Sequence, residues 1–204
     1  RVIDMTMVWA GPYGTMFLAD MGAEVIRVEP RSFIPMGGRG QMAHPDKEVE
    51  AKAPTSQFPN RDPGEHPWNR VAVFNAHARN KYSITADLTT PEGKDTFRRL
   101  VEVSDLFIEN NAVGSMERLG FTYDVLSEWN PRLNMISSAG FGQTGPWRGH
   151  RGLGMQFEAA YGHASIIGYP NMDAEGVPIS VVMDASNGVT IAMAAVIALH
   201  QREK

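Results

Sequence analysis

Val2-Ile3-Asp4-Met5-Thr6-Met7, Ala10-Gly11-Pro12-Tyr13-Gly14 and Ala23-Glu24-Val25-Ile26-Arg27-Val28 follow one another at the head of the chain, and their reading decides the fold. Residues 2–7 read as a short buried strand. The glycine- and proline-containing turn after it opens a helix running to about Met21, with Pro12 in the first turn, where a missing N–H is harmless. Gly22 stops that helix, and Val25, Ile26 and Val28 mark a second strand. Strand, glycine turn, helix, strand is a βαβ unit, which builds a parallel sheet.

Working outward, the stretch from Pro30 to Asn80 is rich in proline and polar residues, with Gly37-Gly38-Arg39-Gly40 near its start. Pro45 to Pro67 reads as a surface insertion with little core of its own. Order returns with a strand at Tyr82–Leu88. Thr89-Thr90-Pro91-Glu92 then gives the cap, proline and early acid of a helix start, with the helix running to about Val103. Asp105–Glu109 is the next strand, Val113–Leu119 and Tyr123–Trp129 are short helices, and Leu133–Ser138 is a fifth strand. Gly140 to Pro146 forms a glycine loop, Met155–His163 a further helix, and an apolar, alanine-rich helix follows Asp184. Alternating strands and helices predict an α/β fold, a Rossmann-like doubly wound, mostly parallel sheet with flanking helices.

Composition removes several function classes. There is no cysteine among the 204 residues, so disulfides, iron–sulfur sites, cysteine zinc sites and a thiol nucleophile are excluded. A net charge of −4 gives no electrostatic case for nucleic acid or for a polyanionic membrane. No apolar run reads as long enough for a bilayer and no signal peptide opens the chain, so the expectation is a cytoplasmic protein. Val2 to Met7 already reads as a strand at one end and Asn187 to Lys204 as a helix at the other, which leads us to expect a piece of a longer protein whose completion would cover apolar surface.

In a doubly wound sheet ligands sit beyond the carboxyl ends of the strands. That rule selects Val8–Gly14, Glu29–Arg31, Asn110–Gly114 and the Gly140 loop. Glu29 lies where a dehydrogenase places its ribose acid, but the first turn is not G-x-G-x-x-G, and Pro12 and Tyr13 obstruct a pyrophosphate. The six histidines show no H-E-x-x-H pairing, and only His150 and His163 fall near the rim. No G-x-S-x-G elbow is present. Asp184, after Val181-Val182-Met183 and before Ala185-Ser186-Asn187-Gly188, is either a helix N-cap or a carboxylate nucleophile, and periodicity does not separate the two.

Taken in order, these motifs resemble one family, the class III coenzyme A transferases (CaiB/BaiF family), which include formyl-CoA and carnitine CoA-transferases. The matching stretches are Ala10-Gly11-Pro12, Leu18 to Pro30, Asn80 to Ile84, Asp87 to Gly93, Asp105 to Asn111, Met116 to Gly120, Asn130 to Leu133, Gly140 to Pro146 and Asp184 to Lys204. The resemblance implies that this chain is the amino-terminal part of a large Rossmann-like domain, with the smaller domain and the carboxyl-terminal part outside it. It also implies a homodimer of interlocked subunits, or an assembly with the missing part.

For chemistry, the resemblance implies that Asp184 attacks an acyl-CoA to form an anhydride, then an aspartyl-CoA thioester that the acceptor acid resolves. Coenzyme A and acyl-CoA are then substrates, with no tightly bound cofactor. CoA contacts carry over to Val8, Trp9, Ala10, Lys81, Asn110, Asn111 and Arg118, and substrate contacts to Phe157, Glu158 and Gly142. Trp9 stands in place of a glutamine of formyl-CoA transferase and Phe157 in place of a tyrosine, which argues against a small oxalate-like acid and for a larger or more apolar acyl group. The related α-methylacyl-CoA racemases carry a Gly-His-Asp motif whose positions here are Gly152-Leu153-Gly154, so α-proton transfer is the alternative activity. A catalytically silent acyl-CoA-binding fragment is a third.

Overall fold

The computed structural model describes residues 1–30, 38–39, 58–172 and 182–204. Five strands, β1 (Val2–Met5), β2 (Val25–Glu29), β3 (Lys81–Thr85), β4 (Leu106–Glu109) and β5 (Asn134–Ser137), form one sheet in the order β3-β2-β1-β4-β5. Every pairing is parallel, with Ile3 opposite both Ile26 and Phe107. The helices are α1 (Ala10–Asp20), α2 (Ala72–Ala78), α3 (Pro91–Glu102), α4 (Ser115–Leu119), α5 (Tyr123–Trp129), α6 (Gly154–Ala160) and α7 (Val182–Arg202).

The period-two alternation of the strands sorts the core onto two faces. Val2, Val25, Leu106 and Ile108 pack with Leu18 and Ala19 of α1 and with Ile191, Ala192 and Ala195 of α7. Ile3, Val28 and Phe107 face the other way, onto Phe97 and Val101 of α3 and Leu126 of α5. Helices on both faces make the sheet doubly wound. The chain builds β1, β2 and β3 outward, then returns to place β4 on the other side of β1. The loops after β1 and β4 therefore diverge and leave a crevice at their carboxyl ends.

Several elements depart from their sequence reading. β1 stops at Met5 instead of Met7 because the Thr6 N–H turns back to donate to Asp4 Oδ1 at 2.9 Å. Pro45 to Pro67 was expected to have little core, yet Phe58 is buried with Val71 and Phe74 in a small third core under the unanticipated helix α2. Residues 45–57 lie outside the described ones, as do Gly37 and Gly40. Met155–His163 is shorter, ending at Ala160 before a single 3-10 turn at His163–Ser165. No apolar run was expected to be long enough for a bilayer, but by length and composition α7 qualifies. One side of it is packed on the sheet, while Val189, Met193, Val196 and Ile197 are exposed.

A buried ion cluster ties α1 to the sheet. Asp4 Oδ2 accepts from Lys81 Nζ at 3.1 Å, Thr15 Oγ1 at 2.7 Å and Arg27 Nη1 at 3.3 Å. Burial alone would raise the Asp4 carboxyl. The charges of Lys81 and Arg27, with the Thr6 and Thr15 hydroxyls, outweigh it and bring the carboxyl down from 3.8 to about 2.

Helices α1 and α7 meet backbone to backbone. A Cβ on Gly14 would lie 2.7 Å from the Gly188 carbonyl oxygen and 3.0 Å from Ile191, and one on Gly188 would lie 2.7 Å from the Tyr13 ring. In an open helix, Gly→Ala stabilises by about 1 kcal/mol. At this contact overpacking of about 1–3 kcal/mol opposes it. Gly14→Ala is therefore expected to lower the unfolding free energy measured in urea, and an increase would show that the two helices move apart freely.

Candidate active site

The crevice between β1 and β4 opens into a cleft of about 440 Å³. Its walls are the β1 turn (Met7, Val8, Ala10), the β4 turn (Asn110 to Val113), the end of β5 (Ser138 to Gly140), the loop Arg148–Leu153, Phe157 and Tyr161, and the first turns of α7. Asn110 stitches the first two together: its Oδ1 accepts from the Met7 N–H at 2.8 Å and its Nδ2 donates to the Met7 carbonyl at 2.9 Å. Asn111 is held in turn, its N–H donating to Glu109 Oε2 at 2.7 Å. Both side-chain amides build the turns while lining the cavity, the Asn111 Nδ2 donating to the Met5 carbonyl at 3.3 Å. Asn187 Nδ2 donates to Ser138 Oγ at 3.0 Å and pins α7 to the end of β5.

Asp184 lies in the first turn of α7 and on the cleft wall. It is not the N-cap, because the helix already begins at Val182. That duty falls to Glu158 of α6, a buried side chain whose Oε1 accepts from the Met183 N–H at 2.7 Å. Its other oxygen, Oε2, is bonded to His163 Nδ1. Burial pushes Glu158 up, but the bonds from His163, Met183 and Val182 outweigh it and hold the carboxyl below its usual value. Asp184 has no hydrogen-bond partner among the described residues, and burial together with the Glu158 charge raises its carboxyl above the ordinary 3.8. A half-buried, unpaired carboxylate of raised basicity at a helix N-terminus is the arrangement that nucleophilic chemistry uses.

The Phe157 ring seats on Gly140, where a Cβ would be only 2.0 Å from the ring tip, and Phe141 and Tyr161 pack around it. Val8, Ala10, Asn110, Asn111, Phe157 and Asp184 are thus brought to one cavity, with Glu158 directly behind it. Four other expected contacts are not on its wall. Trp9 turns its ring edge-on to His77, with centroids 4.6 Å apart. Gly142 lies in the loop beyond Gly140, with φ +83°. Arg118, on α4, is exposed and donates from Nη2 to Ser115 Oγ at 2.9 Å. Lys81 is buried, and its three N–H bonds go to Asp4, the Pro12 carbonyl at 2.8 Å and Thr15 Oγ1 at 2.8 Å. Residues the sequence did not single out, Ser138, Asn187 and the arginines 148 and 151, join the site.

The whole chain, residues 1–204, matches the family described as CoA-transferase family III. The chain belongs to that family. Among its relatives are the succinyl-CoA–D-citramalate CoA-transferase of Chloroflexus aurantiacus, 38% identical over 100% of this chain and 45% of that protein, and the succinate–glutarate CoA-transferase of Agrobacterium fabrum, 37% identical over 84% and 39%. A CaiB/BaiF family protein from Brucella suis superposes with a TM-score of 0.81 at 30% identity, over 99% of this chain and 48% of that one. The chain therefore spans about half the length, or less, of the curated relatives it matches.

The family resemblance assigns Lys81 to CoA, while its surroundings assign it to the fold, and the two have different consequences. Removing one partner of a buried pair costs about 3–5 kcal/mol, so Lys81→Met should lower the unfolding free energy by that order near neutral pH. The Asp4 carboxyl is depressed on folding, so its contribution is present above its unfolded value and is lost as pH falls through about 2. The gap between variant and native protein should narrow over that range in urea titrations. Unchanged stability with weakened CoA binding would instead assign Lys81 to the ligand.

Proposed function

We propose that the protein transfers coenzyme A between an acyl-CoA and a carboxylic acid through covalent intermediates on Asp184. The observation that carries the reading is that Asp184 stands unpaired on the cleft wall because Glu158 does the capping in its place. An Asp184 oxygen attacks the thioester carbonyl, the C–S bond breaks, and CoA leaves as thiolate from an aspartyl anhydride. The thiolate then attacks the aspartyl carbonyl and expels the first acid, leaving an aspartyl-CoA thioester. The acceptor carboxylate reverses both steps with its own acyl group. Backbone N–H groups in the first turn of α7 favour the oxyanions that develop beside it.

Val8, Ala10 and the Asn110-Asn111 turn supply a surface for the pantetheine arm, with Arg118 on the flank toward the phosphates. Phe157, Phe141 and Tyr161 make an aromatic wall that suits an acyl group with apolar carbons more than a bare two-carbon diacid. Relatives that are named as alpha and beta subunits support an assembly of chains, for which the exposed apolar face of α7 is suited.

His150 on the same wall favours α-proton transfer on a CoA thioester as a second reading, since it offers a base within the cavity of Asp184. Incubation of the intact protein with acyl-CoA followed by borohydride or hydroxylamine should mark Asp184. Asp184→Ala should abolish both the mark and CoA exchange, lowering turnover by at least about 10³-fold, as loss of a covalent nucleophile does. Deuterium wash-in from solvent with no acceptor acid and no mark on Asp184 would establish the second reading in place of the first.

A further inference from the structure

His163 is absent from the cleft wall, yet it is bonded to a buried side chain that accepts from the first turn of α7. Glu158 is 3% exposed, with one carboxylate oxygen on the Met183 N–H and the other on His163 Nδ1. The His163 side chain is 24% exposed, so its ring reaches solvent while gripping a carboxylate that does not. Gly162, at φ +80°, makes the turn that swings His163 back onto α6. The chain of contact runs from solvent through His163 and Glu158 to the peptide joining Val182 to Met183, next to Asp184.

We propose that His163 is a positioning residue for Asp184, holding Glu158 on the amino-terminal turn of α7 and setting how much negative charge Asp184 faces. The inference rests on the reading of Asp184 as nucleophile. With His163 protonated, Glu158 and His163 form a nearly neutral pair, and the α7 terminus meets Asp184 with little opposing charge. With the imidazole neutral, the Nδ1–H still holds Glu158 in place, but the full Glu158 charge bears on Asp184, and among the described residues it is the charge that opposes Asp184 ionisation. The position of the helix and the charge at its end are thus controlled by different properties of one side chain.

Other titratable groups on the surrounding elements, among the described residues, are Arg148, His150 and Arg151 in the loop before α6, and Tyr161 just after it. His150 lines the same cleft and has to be separated from His163 in the test. Its Nδ1 approaches the Trp147 carbonyl at 3.3 Å and makes no contact with Glu158.

The test is the midpoint of Asp184, followed by NMR in intact protein carrying carboxyl-labelled aspartate, with Asp184→Asn assigning the signal. His163→Asn keeps a neutral donor where Nδ1 stands and removes only the charge. It should raise the Asp184 midpoint by about half to one unit, the size of a charge effect carried through one intervening group. Glu158→Gln should lower it, and adding His163→Asn to that variant should then move it much less. His150→Gln should leave the Glu158–His163 coupling intact. An unmoved midpoint in His163→Asn, or equal shifts with and without Glu158, would overturn the proposal, as would a shift that belongs to His150. Borohydride marking separates the two levels: no acyl mark on Asp184 in the native protein removes the nucleophile reading, whereas a normal mark with an unmoved midpoint removes only the role of His163.

Discussion

Two glycines facing each other across α1 and α7 constrain everything at the site. Gly188 stands one helical turn beyond Asp184, and its carbonyl fits against Gly14 only because neither position carries a Cβ. With the axes this close, the first turn of α7 is delivered to the crevice that strand order opens between β1 and β4. Ile191, Ala192 and Ala195 then bury the rest of that face on the sheet. A wider spacing would still give a doubly wound sheet. It would withdraw Asp184 from the turns at Val8 and Asn110, and the cavity would lose the wall that carries its carboxylate.

Delivery alone does not leave a carboxylate available. A helix N-terminus has unpaired N–H groups, and an acidic side chain in its first turn ordinarily folds back to satisfy them. Glu158 meets that demand from α6, at the cost of burying a charge that needs partners of its own. His163 and the backbone of Val182 and Met183 are those partners. Asp184 is then left half-buried, unpaired and repelled by its neighbour, a combination that favours a reactive carboxylate over a structural one. On the proposed reading, capping and reaction, which a single aspartate would have to combine, are divided between two side chains.

The parts of the structure legible in the sequence are those where local pattern and tertiary burial agree. Val2, Val25, Leu106 and their alternating neighbours gave the sheet, and Thr90 with Pro91 gave the start of α3, where the Thr90 hydroxyl does accept the Gly93 N–H at 3.1 Å. Helix α2 went unread although Val71, Phe74 and Ala78 have helical spacing, because prolines and polar residues on its amino-terminal side dominate the composition. The start of α7 was misplaced for a different reason. Asp is the residue type expected at a cap, and the actual acceptor comes from another helix, which no local pattern encodes. Lys81 shows the same limit: the acid that claims it lies 77 positions away in sequence. Asp184 itself was located by family motif, and only the packing around it shows that it is not the cap.

The cations of the molecule divide by the same logic. Arg27 and Lys81 are buried and share Asp4, with Glu29 Oε1 a second acid 3.9 Å from Arg27 Nε, so they serve the sheet and do not line the cleft. Arg148 and Arg151 line the cleft, are exposed, and have no acidic partner among the described residues. On the proposed reading, a CoA thioester and an acid would both arrive negatively charged at a chain whose own net charge is −4. Attraction would then fall to these loop arginines, whose charges solvent and salt screen strongly, while Glu158, the charge that faces Asp184 among the described residues, is buried where screening is weak. On that reading, ionic strength would bear on capture of the substrate far more than on the bond-making step, because the two depend on charges in different dielectric surroundings.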